Sequence, residues 1–245
     1  MWYNEKGENM QQYMISNEQI ENNTIKLTND NLHHIFKVMR MKENDCFYCV
    51  SRDDKKRYLC QITNDKQCQI KEDVLTNNEL PKQLILAFGL VKADKLEFVI
   101  QKACELGVSK FIPLKTKNSI VKFESDKLDK KMIRWQKIIE EASEQAKRNS
   151  LMEITLPKNI EELKEELVDV NLVAYEKETA TNKLRDHYDG KQDCLVVVGP
   201  EGGFDQVEIN ELEKINIKPI SLGKRILRCE TAAISVVSII SDLME

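Results

Sequence analysis

Two uninterrupted apolar runs, LILAFGLV at 84–91 and CLVVVG at 194–199, limit the folds open to this chain more than any other feature. Each is as long as one strand and offers no polar side to solvent. It must therefore be covered on both faces, which is the situation of an interior strand in a parallel sheet. LILAFGLV is followed by the helical pattern DKLEFVIQKACELG, which Gly107 closes, and then by the strand pattern KFIPL. A long charged helix is expected from about Asp126 to Lys147, and NLVAYE, CLVVVG and KPISLG are expected as later strands, each near a helical stretch. This alternation predicts an α/β domain with a mostly parallel sheet.

Ahead of residue 80 the pattern is different. A helix is expected from Asp30, with Leu32, Ile35, Phe36 and Met39 at helical spacing. Three short strands follow, CFYCVS, KRYLCQIT and QIKEDVL, separated by polar turns, which predicts a small β-rich barrel. The turn-rich stretch TNNELP at 76–81 divides the two patterns, so domains are expected over residues 1–76 and 82–245.

At 41% hydrophobic and 32% charged residues the chain is apolar enough to fold. No apolar run approaches the roughly 20 residues that span a bilayer, and the N-terminus lacks a basic-then-apolar leader, so a cytoplasmic protein without membrane contact is expected. Seven scattered cysteines are expected as reduced thiols. Cys46 and Cys49, followed by Cys60 and Cys68, raise the question of zinc. Two of them fall on opposite faces of a strand and no glycine knuckle is present, so no metal is expected. His33 and His34 lack a neighbouring nucleophile and are read as structural or RNA-facing, and His187 sits in a polar loop and offers no pattern. The net charge of −4 argues against a general nucleic-acid binder, yet residues 92–148 carry 14 Lys/Arg against 9 Asp/Glu. Such a stretch fits either selective phosphate contact or a solvated helix face.

The chemistry is expected at two consecutive strand ends. CLVVVGPEGGFDQVEINELEKI reads as a strand closing at Gly199, a Pro-Glu-Gly-Gly turn, and a helix opening near Asp205. Ligands of open α/β sheets bind at the carboxyl ends of strands, where glycine lets backbone amides approach closely. Neither G-x-x-x-x-G-K-[ST] nor G-x-G-x-x-G is present, which disfavours kinases, NTPases and dinucleotide enzymes. One strand later, KPISLG leads to a loop with Lys224, Arg225 and Arg228, and Glu230-Thr231 opens a helix that is apolar almost all round. Its arginines suit an anionic substrate or growing negative charge, and pairing with Glu201 or Glu230 is the plain alternative.

GPEGGF at 199–204 and LGKRILRCETAAI at 222–234 resemble the two C-terminal motifs of the SPOUT methyltransferases. HHIFKVMRMKEND, KADKLEFVIQKACELGV and RWQKIIEEASEQAKR extend the resemblance over nearly the whole chain, towards the members that methylate N3 of a uridine in 16S RNA. The chain departs from the pattern at Asn44, Ala93 and Lys147, where glycine is usual, and at Lys117-Asn118, where Glu-Arg is common.

The resemblance implies a PUA-like RNA-binding barrel followed by a SPOUT-type α/β domain with a C-terminal trefoil knot, and a homodimer. It implies S-adenosylmethionine held by Leu172, Val173 and Ala174, by Gly199, Pro200, Glu201, Gly202 and Gly203, and by Leu222, Gly223, Ile226, Leu227, Arg228, Thr231 and Ala232. The substrate would be 16S ribosomal RNA, met within the small ribosomal subunit. Arg225 would stabilise charge on the ring, with Glu201 or Glu230 as proton acceptor or as structural carboxylates. Arg40, Lys92, Lys95, Lys131, Arg134 and Arg148 would contact RNA, and Glu141 and Gln145 would reach the base edge. Two other readings share these motifs: a SPOUT enzyme acting on another RNA, such as the 2′-O of a transfer-RNA ribose, and a non-catalytic RNA-binding or ribosome-assembly factor.

Overall fold

The change of hydrophobic period near residue 80 is a change of sheet type. The computed structural model describes residues 10–119 apart from 64 and 66, and residues 125–245 apart from 180. The chain forms two compact units: the chain up to Glu79 with Ser143–Leu151, and Leu80–Ala142 with Met152–Glu245. Residues 143–151, which a single cut at 76–82 would give to the second domain, pack with the first.

The N-terminal unit is a curled sheet of β1 (Gln12–Ile15), β2 (Ile20–Glu21), β3 (Thr24–Ile25), β4 (Cys46–Ser51), β5 (Arg57–Ile62) and β6 (Cys68–Val74), in the order β1-β4-β5-β6-β3-β2. All pairings are antiparallel except β1 with β4. Inward residues at alternate positions, among them Phe47, Cys49, Tyr58, Cys60, Ile62, Cys68 and Ile70, close over Tyr13, Ile15, Ile25 and Ile35. The expected helix begins as α1 (Asn29–His33), capped by the Thr28 hydroxyl accepting from the Asn31 amide, and continues as a π-turn over His34–Val38. That wider turn rotates the later positions, so Ile35 is buried while Met39 is 40% exposed and drops out of the expected apolar face. Asn44, in place of glycine, has φ of 71°, a left-handed turn that asparagine tolerates.

Segment 143–151 is held by buried polar contacts. Arg148 is 3% exposed, and its Nη2 donates to Glu79 Oε2 at 2.6 Å. Glu79 also accepts from the amides of Asn149 and Ser150. Arg57, 1% exposed, donates to Thr76 Oγ1, Lys147 O and Asn149 Oδ1, and Gln12 donates to Arg148 O. Lys147 has φ of 58°, which explains why glycine suits this position.

The second unit contains β7 (Leu84–Gly89), α2 (Ala93–Glu105), β8 (Lys110–Lys115), α3 (Ser125–Gln145), β9 (Glu153–Ile154), β10 (Lys158–Asn159), β11 (Val170–Ala174), β12 (Cys194–Val198), α4 (Gln206–Lys214), β13 (Lys218–Ile220) and α5 (Cys229–Met244). The strand order is β10-β8-β7-β12-β11-β13, with β9 also on β8, and every pairing is parallel. The two apolar runs are neighbours: Ile85 pairs with Leu195 and Ala87 with Val197. Their odd-numbered residues join Val173, Phe204, Ile209 and Leu212 in a core on one face. On the other face α5 contacts β7, β12 and α2. Coverage on both faces is what the apolar runs required.

Gly107, with φ of 86°, ends α2. α5 differs from the expectation of a helix with no wet side. Ala233, Val236, Val237, Ile240 and Met244 are buried, while Thr231, Ser238 and Asp242 are exposed and Ile234, Ile239 and Leu243 are half-buried. After β13 the chain is fixed by Asn182, whose O accepts from the Ser221 amide at 2.8 Å and whose Nδ2 donates to Pro219 O at 2.9 Å. His187 in turn pairs with Asn182 Oδ1, which gives that histidine an orienting role. No described helix is long and apolar enough to cross a membrane.

Candidate active site

The carboxyl ends of β11, β12 and β13 converge on a cavity of about 490 Å³, a volume typical of small-molecule sites. Two turns make most of its wall, 199–204 after β12 and 221–228 after β13. Gly203 has φ of 62°, and a Cβ there would lie 3.0 Å from Glu176 Oε1. A side chain at this position is thus disfavoured by backbone conformation and would displace the Glu176 carboxylate. The turn is then locked to α4: Asp205 caps that helix, Glu208 reaches back to the Asp205 amide, and the other Glu208 oxygen accepts from the Lys117 amide. Asn118 Nδ2 donates to Gly202 O at 3.0 Å and to Gly203 O at 3.2 Å. Asn118→Ala removes both contacts and is expected to weaken ligand binding in the cavity by up to about thirtyfold, read as a dissociation constant, since each net hydrogen bond is worth roughly 1 kcal/mol.

Charge at the cavity is arranged around Lys95. Its Nζ lies 3.2 Å from Glu201 Oε1 and 3.7 Å from Glu230 Oε2, tying α2 to the turn after β12 and to the start of α5. The hydrogen bond to Glu201, with the charges of both carboxylates, raises the Lys95 ammonium, which is therefore a fixed cation. Burial pushes Glu230 upwards, but bonds from its own amide and from the Cys229 thiol, with Lys95 and Arg228 nearby, leave it below the usual carboxylate range. Burial and the adjacent Glu230 carboxylate push the Cys229 thiol up to about 12, so it stays protonated and donates. Arg225 and Arg228 pair with neither glutamate. Arg225 is exposed, lines the cavity, and has no ion-pair partner among the described residues.

Of the residues expected around a cofactor, Ala174, Gly199, Pro200, Glu201, Gly202 and Gly203 line the cavity, as do Leu222, Gly223, Ile226, Leu227, Arg228 and Ala232. Leu172 and Val173, expected to contact the cofactor through their backbone, are buried in the sheet and are not among the lining residues, and Thr231 is exposed on α5. Tyr175, Glu176, Val198, Phe204, Ser221 and Cys229 also line it and were not expected, although most adjoin an expected strand end. Lys95, expected on RNA, is among the residues that line this cavity.

The expected RNA contacts are dispersed. Arg40 and Lys92 are exposed. Arg134 is exposed but ion-paired with Glu97 at 3.0 Å, and Lys131 is half-buried with a partner of its own. Glu141, 4.0 Å from Lys137, and Gln145 face solvent. Arg148 is a correction: buried and bound to Glu79, its guanidinium is not available to phosphate. Metal-ligand types converge at one place among the described residues, Cys49, Cys60 and Cys68, without Cys46. All seven cysteines are free thiols.

Strand ends, paired glycine turns and an anchored carboxylate pair define a small-molecule-binding α/β domain of the kind that houses group-transfer chemistry. The family model of the RNA methyltransferase domain matches residues 78–241, and that of the RNA methyltransferase PUA domain matches residues 27–73. The chain belongs to the RNA methyltransferase family. It is 41% identical over 221 residues to ribosomal RNA small subunit methyltransferase E of Mesomycoplasma hyopneumoniae, covering 89% of this chain and 93% of that protein. To the protein of the same name from Bacillus subtilis it is 37% identical over 246 residues, covering 95% and 96%. A methyltransferase of Legionella pneumophila, solved with bound SAM, superposes with a TM-score of 0.85 at 30% identity over 95% of this chain and 97% of that one. The small subunit methyltransferase E of Neisseria gonorrhoeae, bound to S-adenosyl methionine, superposes with a TM-score of 0.83 at 25% identity over 96% and 98%.

Proposed function

We propose that this chain transfers a methyl group from S-adenosylmethionine to N3 of a uridine in 16S ribosomal RNA, in the cytoplasm and as a homodimer. The observation that carries the reading is the cavity where the 199–204 and 221–228 turns meet, with an unpaired arginine at its wall. Relatives named for small-subunit ribosomal RNA methylation, similar along nearly their whole length, support the substrate class. The half-buried Ile239 and Leu243, four residues apart on one side of α5, support the dimer.

The residues fit the donor. Glycine turns leave room for close backbone approach, Ile226 and Leu227 give apolar wall, and Glu176 and Glu201 give carboxylates near a cationic ligand. S-adenosylmethionine, when bound, would supply a methyl group on a sulfonium whose sulfur departs as a neutral thioether. The protein's part is to align the uridine, exclude water and manage one proton. Loss of the N3 proton places negative charge on the ring and its carbonyl oxygens, where the Arg225 guanidinium donates hydrogen bonds. Glu201 is the proposed proton acceptor, because it lines the cavity and Glu230 does not. Lys95 holds Glu201 in place rather than contacting phosphate. Lys95→Met is expected to lower kcat about tenfold or more while leaving the salt dependence of RNA binding unchanged. Loss of one unit of salt slope instead would return Lys95 to the RNA.

The test is radiolabelled methyl transfer into isolated small subunits and into free 16S RNA, with the product digested and its modified nucleoside identified by mass spectrometry. Methyl on uracil N3 is the expected result. Methylated ribose, or a chain that binds the donor and transfers nothing, overturns it.

A further inference from the structure

The N-terminal unit holds a group of side chains that the methyl-transfer reading does not use. Cys49, Cys60 and Cys68 come from three adjacent strands, and their Sγ atoms all lie within 4.8 Å of one another. The ladder explains the meeting. Phe47 pairs with Cys60 and Ile62 with Cys68, so Cys49–Cys60 and Cys60–Cys68 are diagonal neighbours on one inward face. Each thiol is at most 1% exposed.

The surroundings select the ligand. The trio sits among Tyr13, Ile15, Ile25, Ile35, Phe47, Tyr58, Ile62 and Ile70, none of them charged. The Glu144 carboxylate, which acts on Tyr13, has the same sign as a thiolate. Zinc requires four converging ligands, and no fourth Cys, His, Asp or Glu joins these three among the described residues. Copper(I) accepts three soft sulfurs, but three thiolates would leave a net anion buried without a counter-charge, at a cost of several kcal/mol. Trivalent arsenic meets both conditions. It takes three sulfurs in a pyramid whose fourth direction is a lone pair, and its tri-thiolate is neutral.

We propose that Cys49, Cys60 and Cys68 form a tri-thiol site for arsenous acid. Three As–O bonds break and three As–S bonds form; each thiol proton leaves on a departing hydroxide as water, so three waters are released and no oxidant is needed. Cys68 attacks first, because hydrogen bonds from Cys49 and Cys60 make it the most acidic of the three, while burial pushes Cys49 up. Uptake waits on local opening of the sheet, since the sulfurs are sealed, and is therefore slow.

Native mass spectrometry of the full chain with arsenite, in a phosphine reductant that adds no thiol, tests this. The expected result is one adduct per chain, heavier by one arsenic less three hydrogens, retained in Cys46→Ala and lost in Cys68→Ala. Binding through two sulfurs keeps one hydroxyl, so that adduct is heavier by one water. A thermal melt of the wild-type chain supplies a readout that no variant can spoil: a ligand of the folded core raises the transition, and a ligand of the unfolded chain lowers it. No adduct, the heavier adduct, an unchanged adduct in Cys68→Ala, or a lowered transition each overturns the site.

Discussion

Arg225→Ala is expected to leave the fold and donor binding intact and to lower kcat for methyl transfer about 100- to 1000-fold, the usual cost of removing one donor aimed at developing negative charge. The expectation follows from position. Arg225 lines the cavity, and no described residue pairs with its guanidinium, so its donors are available to a substrate. The nearby carboxylates are already served by Lys95. Arg225→Lys is expected to recover only part of the rate, because an ammonium keeps the charge and loses the planar fork. Single-turnover transfer with saturating donor reads the chemical step. An unchanged rate in Arg225→Ala would place the charge stabilisation elsewhere.

Glu79→Ala is expected to cost the N-terminal unit about 3–5 kcal/mol in urea denaturation, because it leaves the buried Arg148 cation unpaired. The amides of Asn149 and Ser150 lose their acceptor in the same step. Adding Arg148→Met is expected to return part of the loss, since the apolar side chain leaves no uncompensated buried charge. Acid should act in the same direction. Burial raises the Glu79 carboxyl, but Arg148 and the amides of Asn149 and Ser150 hold it below its ordinary value of 4.5. A folded value below the unfolded one contributes stability that is fully present above about pH 4.5 and fades as pH falls through the folded value. If Glu79→Ala kept the wild-type midpoint and acid profile, the ion pair would not be holding segment 143–151.

The same pair marks the limit of what a single sequence discloses. Arg148 reads as a basic residue at the end of a charged helix, and nothing local tells that its partner lies 69 positions earlier. Period and composition are local properties, so they gave the two apolar strands, α2 with its glycine stop, and α4 with its aspartate cap. They passed over β2 and β3, which are two residues each and too short to carry a period. They placed Met39 on an apolar face because helical spacing presumes an α-helix, and the π-turn breaks that spacing. The cavity was legible for a related reason: glycine turns at consecutive strand ends are local features with a known spatial consequence. Lys95, which reaches it from α2, and Asn118, which braces the turn at Gly202 and Gly203, left no comparable signal. The three thiols were each visible, but their meeting depends on strand register, which the spacing 49, 60 and 68 does not fix.

Calorimetry with S-adenosylmethionine tests most directly whether the turns at 199–204 and 221–228 form one donor site. One site per chain is expected, with Gly203→Val weakening it at least about tenfold through the strained backbone and the approach to Glu176. A folded wild-type chain that binds no donor, or a Gly203→Val variant that binds it as well as wild type, would contradict the site.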